Sequence, residues 1–311
     1  MRRRCRILLL TVASVTVACG VEPSTSAPGT TTVATAVAVP PETAEVAAEM
    51  TEPTRIEYGD APQQFADLSL PAAVRHDAPV VVLIHGGFWR NPYGLDLMEP
   101  LAADLVDRGY ATWNIEYRRL GDPGGGWPGT LDDVATAVDA LEAVADEHPL
   151  DLDRVAIVGH SAGGHLALWT AGREALPTEA PGASPVVVPS VSIGQGAVVD
   201  LAGAAAAPLG NGAVLELLGG APDAVADRYE IATPRLDTGP VTVSVVGSAD
   251  TIVPPAFSVD PDQPGAIELI EIDGADHFDL IDPNHAAWLA VVAALDTHLD
   301  TNGDTHRDER G

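Results

Sequence analysis

From Thr54 onward, short unbroken apolar runs alternate with segments whose apolar residues recur every three or four positions. Pro79–Ile84 reads Pro-Val-Val-Val-Leu-Ile and has no polar position, which predicts a strand buried on both faces. Tyr110–Ile115, Val155–Val158, Val191–Gly194, Val241–Val246 and Ile267–Ile272 predict further strands, and Val198–Leu201 is an apolar run beyond the third of these. Arg55–Tyr58 and Gln64–Leu70 predict a first hairpin, because Phe65-Ala66-Asp67-Leu68-Ser69-Leu70 alternates with period two. Leu97, Leu101 and Leu105 share one face of a helix predicted over Leu95–Arg108 and closed by Gly109. Val134, Val138 and Leu141 do the same for a long helix over Thr130–Glu147. Ala162–Ala171 and Pro283–Leu299 predict two more helices, and Glu174–Pro189 reads as loop. Ala202–Leu236, rich in Ala and Gly, predicts short helices over one edge of the sheet. Strands alternating with helices imply a mostly parallel, doubly wound sheet in a three-layer α/β/α sandwich. Chemistry on such a sheet gathers at the carboxyl ends of its strands.

The stretch before Thr54 follows a different pattern. Met1–Arg6 is basic, and Ile7–Ala18 is an apolar run too short to span a bilayer stably. Thr16-Val17-Ala18-Cys19-Gly20 resembles the lipobox of bacterial lipoproteins, with Thr16 where a leucine is usual. This predicts a signal peptide over 1–18 and Cys19 as a lipidated N-terminus; the plain alternative is a signal peptide with an incidental cysteine. Residues 19–53, rich in Ser, Thr, Pro and Ala, bury too little apolar surface to offset their ordering entropy and predict a disordered tether. The folded domain is expected over 54–300, with 301–311 a polar tail. Export follows, as an outward-facing membrane lipoprotein or otherwise as a secreted protein, with the lipid as the membrane contact.

Composition narrows the chemistry. The net charge of −29 disfavours nucleic acid and anionic membrane faces as partners. Both cysteines, Cys5 and Cys19, precede the domain, so neither a disulfide framework nor a thiolate metal site is expected in it. Gly121–Gly126 lacks the strand-then-helix setting and the lysine of a phosphate cradle, and no cofactor is expected.

Gly159-His160-Ser161-Ala162-Gly163 has the form G-x-S-x-G between a predicted strand and a predicted helix, the setting of a nucleophile elbow. A serine hydroxyl needs a base within hydrogen-bond reach. Among the nine histidines, His277 follows a strand end in a Gly- and Asp-rich loop and is the preferred base. His160 and His165 belong to the elbow and are read as packing or hydrogen-bonding locally, His76 and His148 are in polar settings, His298 and His306 lie near the C-terminus, and His285 is the rival. Asp250 follows the preceding strand and gives the chain order Ser, Asp, His. Asp200 is the rival acid; Asp273 and Asp276 lie too close in sequence to His277 and are read as loop caps. Negative charge developing on a carbonyl oxygen requires preorganised donors, each worth about 3–4 kcal/mol. The amides of Gly86, Gly87, Phe88 and Ala162 are the expected ones, with the His85 side chain holding the loop. Phe88, Trp89, Trp127 and His160 are candidates for a substrate pocket, against the alternative that they pack the domain. Glu116-Tyr117-Arg118 reads as an ion-paired structural cluster.

Together these residues resemble the α/β-hydrolase superfamily over about residues 55–300. His85-Gly-Gly-Phe-Trp89 is similar to the H-G-G-x-W motif of its esterase/lipase and kynurenine formamidase-like branch, joined by Gly159-His-Ser-Ala-Gly-Gly-His165 and Asp276-His277-Phe278-Asp279. Phe88 stands where the hormone-sensitive-lipase type has a third glycine. The resemblance implies hydrolysis of small esters, or of an N-formyl amide, through an acyl-serine. The alternative from another class is a binding lipoprotein that keeps the fold without the chemistry. The short segment between Ser161 and Asp250 suggests a modest lid and small substrates.

Overall fold

In the computed structural model, residues 52–72, 77–262 and 265–299 are described. The expected signal segment with Cys19, the tether up to residue 51, His76, and the tail with His306 lie outside the described residues. The apolar runs become strands: β1 (Thr54–Glu57), β2 (Phe65–Ser69), β3 (Ala78–Ile84), β4 (Ala111–Ile115), β5 (Leu150–His160), β6 (Val191–Gln195), β7 (Val241–Gly247) and β8 (Glu268–Ile272). They form one sheet in the order β1-β2-β4-β3-β5-β6-β7-β8. β1 and β2 form the antiparallel hairpin and β2 meets β4 antiparallel; every other pair is parallel.

The helices cover both faces. Val80, Val82 and Ile84 of β3 face one core with α2 (Gly129–Asp139), α3 (Leu141–Ala145) and α4 (Ala162–Ala171). Val81 and Leu83 face the other, with α1 (Glu99–Asp107) and α8 (Ala286–His298). Alternate side chains of a strand point to opposite faces, so a strand between two helical layers needs apolar residues on both sides, as β3 has. Each large apolar side chain buried this way contributes about 1.5–3 kcal/mol.

Several elements differ from the sequence expectation. The long helix over 130–147 is two helices meeting at Ala140. Asp139 at that junction takes the Arg173 guanidinium and the amides of Val186 and Val187, tertiary partners that helical spacing does not announce. The helix from Leu95 opens with a 3₁₀ turn before α1. β5 starts five residues earlier than its apolar run because Leu150 and Asp151 pair with Ala78 and Pro79. Val198 and Val199 are buried outside any strand. The Ala/Gly-rich segment forms α5 (Leu201–Ala206), α6 (Leu209–Leu218) and α7 (Ala226–Ala232). These do not cap an edge of the sheet. His165 and Trp169 of α4 donate to Ala232 O (2.8 Å) and Ile231 O (2.9 Å), and Arg90 donates to Gly210 O (2.8 Å) and Glu216 (2.8 Å). Buried donors need acceptors, and these bonds draw the segment over the central strands.

The link between β5 and α4 is the tightest turn. Ser161 has φ 56° and ψ −118°, a backbone conformation costing a non-glycine residue about 1–3 kcal/mol. Its N–H donates to Gln195 O (2.7 Å) and its C=O accepts from His165 N–H (3.1 Å). A methyl group on Gly163 would lie 2.1 Å from Ile84 O and 2.4 Å from His85 O.

Gly163→Ala must therefore displace backbone. We expect it to lower stability by about 2 kcal/mol or more, read as a lower urea midpoint without a change in slope. The His165 ring, donating through Nε2, is neutral and its pKa is pushed down to about 4 by burial. The unfolded chain binds a proton at this residue below about pH 6.5 while the folded chain does not until about pH 4. Stability is thus lost as pH falls through that window, by up to about 3 kcal/mol. His165→Gln should unfold with a shallower dependence on pH between about 6.5 and 4 in urea titrations.

Candidate active site

Strand order brings the site together. The chain passes from β3 to β4 on one side, then returns through β5 on the other, so the ends of β3 and β5 lie side by side at the switch point. Ile84 is in register with Gly159. Two residues further on, Gly86 faces Ser161 so closely that a methyl group on Gly86 would lie 2.9 Å from Ser161 Cβ and 2.8 Å from His160 O. The loop after β3 then turns through left-handed φ at Gly87 (109°), Phe88 (53°) and Trp89 (55°), and Arg90 N–H closes it on Gly87 O at 3.0 Å. The amides of Gly87, Phe88 and Ala162 have no protein acceptor among the described residues.

β7 and β8 carry the next pair. Asp250 closes a turn onto Gly247 O (3.0 Å). Its Oδ1 accepts from Ile252 N–H (2.9 Å) and Val253 N–H (2.8 Å), which leaves Oδ2 for His277 Nδ1 at 2.6 Å. The two amides orient the carboxylate, and the carboxylate sets the imidazole with its proton on Nδ1 and Nε2 free to accept. Both side chains are buried. The His277 loop is held by a reciprocal pair: Asp276 Oδ1 accepts from Phe278 N–H (2.8 Å) and Asp279 N–H (3.1 Å), while Asp279 Oδ2 accepts from Asp276 N–H (2.8 Å). Those two amides, Asp279 first, hold the Asp276 carboxyl below its ordinary range.

Ser161 and His277 meet through His160. Its Nε2–H donates to His277 O at 3.0 Å, and the two rings lie 4.5 Å apart. Burial, and then the nearby His277, push the His160 pKa down to about 3, so it stays neutral. The Ser161 hydroxyl makes no hydrogen bond to His277 among the described residues. Such bonds are often loose in unliganded sites and tighten on the substrate. Gly196, at φ 55°, admits the acid–imidazole pair: a methyl group there would lie 3.2 Å from both Asp250 Oδ2 and His277 Nδ1. The sequence places His160 in the elbow as a packing or hydrogen-bonding residue but does not identify His277 O as its partner; for Gly196 as a floor, a glycine just past a strand end is the one available signal.

Of the other expectations, the pocket readings of Trp89 and His160 are revised, while Asp273 stays a loop residue and Glu116 and Arg118 are ion-paired as expected. Trp89 does not line a pocket: it is 0% exposed, turned inward by its left-handed backbone, and meets His165 edge-on at 5.4 Å. His160 is likewise enclosed, 3% exposed, and serves His277 rather than a pocket. Trp127 is half-buried under Arg228, its backbone N–H on Leu217 O (2.8 Å). Phe88 packs its ring on Gly210. Asp200 caps α5 by accepting from Gly203 N–H (2.7 Å), and His285 caps α8. Asp273 takes the Ser248 hydroxyl (3.3 Å). Arg118 pairs with Asp133, and Glu116 with His85 and Arg119.

Known proteins share this architecture. A truncated carbohydrate esterase from gut microbiota superposes with a TM-score of 0.69, covering 82% of this chain and 99% of its own at 19% identity, a likeness of fold. Esterase LipC of Mycobacterium tuberculosis is 34% identical over 121 residues, 36% of this chain and 28% of LipC. Kynurenine formamidase of Danio rerio is 28% identical over 112 residues, 36% of each chain. The matches thus span about a third of the length of these curated relatives. The structure is an α/β-hydrolase fold, and the family model described as BD-FAE matches residues 66–261, from within β2 to beyond Asp250. Since that span is more than half of the sequence, the chain belongs to the BD-FAE family.

Proposed function

We propose that the chain is a serine hydrolase that cleaves small carboxylic esters through an acyl-serine intermediate. The observation that carries this reading is the buried 2.6 Å bond between Asp250 and His277, beside a serine held in a strained turn. Ser161 Oγ attacks the ester carbonyl carbon while His277 Nε2 takes its proton. The oxygen becomes an oxyanion and accepts from the amides of Ala162 and of Gly87 with Phe88 or Gly86. His277 returns the proton to the departing alkoxide, which leaves as the alcohol, and the acyl group stays on Ser161. Water then repeats the sequence on the acyl-serine and releases the acid. Asp250 keeps the imidazole oriented and offsets its charge in each half. The esterase name of LipC, matched over part of its length, supports the ester reading.

The second reading is an amidase of the formamidase type, favoured by the His85-Gly-Gly-Phe-Trp89 motif and the kynurenine formamidase match. It uses the same residues with an amine as leaving group. A binding protein without chemistry has less support, since such a protein has no need of the strained Ser161 backbone or of an acid–imidazole pair. The short helices α5–α7 favour small soluble substrates. Export and tethering through Cys19 rest on the basic N-terminus, the apolar run and the lipobox-like residues.

With the full chain, short-chain aryl esters should be turned over and a fluorophosphonate should label Ser161. Ser161→Ala should abolish both. N-formylkynurenine assayed beside the ester decides between the two readings, and a wild type inert to every acyl substrate and to the label sinks both. Asp250→Asn should reduce kcat by about 10⁴. Asp200→Asn should stay near wild type, with a stability loss of about 1 kcal/mol at most from the altered α5 cap. The converse pattern would make Asp200 the acid. Cys19→Ser should move the protein from the membrane fraction to the soluble fraction of its host.

A further inference from the structure

The hydrolytic scheme gives no chemical role to the fully enclosed side chain of His85. Both of its ring nitrogens face acceptors: Nδ1 lies 2.8 Å from Gly86 O, and Nε2 lies 2.9 Å from Glu116 Oε1. A carbonyl oxygen only accepts. The Glu116 carboxyl is already filled with donors, since Oε1 takes Tyr117 N–H (2.9 Å) and lies 3.1 Å from the Arg119 guanidinium. Its Oε2 takes Leu95 N–H at 3.2 Å. Glu116 is therefore an ionised carboxylate with no proton to give. A neutral imidazole has one N–H and one bare lone pair, so either tautomer would set that lone pair against an oxygen. The Tyr117 ring lies flat on His85, with centroids 4.5 Å apart and planes 17° from parallel. An aromatic face of that kind attracts a cation.

We propose that His85 is a buried imidazolium carrying both ring protons, and that it strengthens the Gly87 N–H as an oxyanion donor by polarising the Gly86–Gly87 peptide. The second half of this statement rests on the serine-hydrolase reading. Gly86 C=O and Gly87 N–H are the two ends of one peptide group. A charged donor on the oxygen draws electron density away from the nitrogen, and the N–H becomes a better donor at its far end. Hydrogen bonds to charged groups are about twice as strong as neutral ones, and chains of bonds reinforce one another by about 10–30% per bond. The charges facing His85 balance locally: Glu116 opposes it, and Arg119 beside Glu116 lies 3.4 Å from Asp122. Tyr117 stays a neutral phenol, because burial and then Glu116 push its pKa far above the ordinary range. Its hydroxyl donates to His85 O at 2.9 Å and fixes the backbone from which the loop departs. His85 is a positioning residue, acting on the oxyanion through Gly87.

The test begins on the full chain labelled with ¹⁵N-histidine, where the His85 ring signals are assigned by their loss in His85→Asn. Both nitrogens should carry slowly exchanging protons under the assay conditions. One bare ring nitrogen there overturns the proposal. The spectrum needs no turnover, so an inert wild type would end the hydrolase reading while the protonation state is still measured. Glu116→Gln removes the opposing charge at nearly constant shape. His85 should then lose one ring proton under the same conditions, and kcat for a short aryl ester should fall about tenfold with KM unchanged, a fraction of what losing a whole oxyanion donor costs. Loss of that proton with kcat unchanged refutes the polarising role. Should Glu116→Gln fail to fold, His85→Asn, which can offer Gly86 O a neutral donor, takes its place: the same fall in kcat at unchanged KM is expected, and wild-type kcat refutes it.

Discussion

The pairing of β3 with β5 is the contact on which the rest of the site depends. Its register sets Ile84 opposite Gly159, and the consequences follow within two residues. Gly86 comes into contact with Ser161, Gly163 lies against Ile84 O and His85 O, and no side chain fits at either glycine. A slip of one residue would exchange the two faces of each strand and send the β3 valines into the wrong core. The apolar layers that specify the register therefore also hold the loop amides against the serine. The cost is a strained Ser161 backbone, held by a bond to Gln195 O from the next strand.

Polar groups around this contact are arranged in pairs that constrain each other. Asp250 spends one oxygen on two backbone amides, so only the other is left for His277. Asp276 and Asp279 exchange bonds across the turn that carries His277. His160 stays neutral through burial and ties its carbonyl partner, His277, to the elbow. Beneath the other loop, Glu116 collects His85, Arg119 and two backbone amides. In a low-dielectric interior an unpaired group would be costly, so each of the buried pairings both satisfies a buried atom and fixes a direction, while the exposed Asp276–Asp279 pair fixes a direction alone. A chemistry that depends on aiming donors and a base at one carbon benefits from both.

Much of this was legible before the structure. Pro79–Ile84 and its counterparts announced strands buried on both faces, and the G-x-S-x-G between a strand and a helix announced the turn. His277 stood out by following a strand end in a Gly- and Asp-rich loop, and Asp250 was preferred on chain order to Asp200, which also follows a strand. Trp89 and His160 were less legible: aromatic and polar rings near a candidate serine suggest a pocket, yet left-handed backbone turns Trp89 inward and His160 is enclosed at the end of β5. The Ala/Gly-rich helices were legible as helices, but not as a cover over the central strands, because the His165, Trp169 and Arg90 donors that hold them are far away in sequence.

By itself the sequence determined the class of fold and pointed to a candidate serine, a preferred base and acid for it, and the glycines around them. Periodicity and turn chemistry are local properties, and local properties survive in a linear text. Only the tertiary structure decided that Asp250 reaches His277, that Asp200 is spent on a helix cap, that His160 supports rather than lines, and that both nitrogens of His85 face oxygen. Each of those is a question of which buried donor meets which acceptor, and the partners come from separate strands that only the assembled sheet brings within bonding distance.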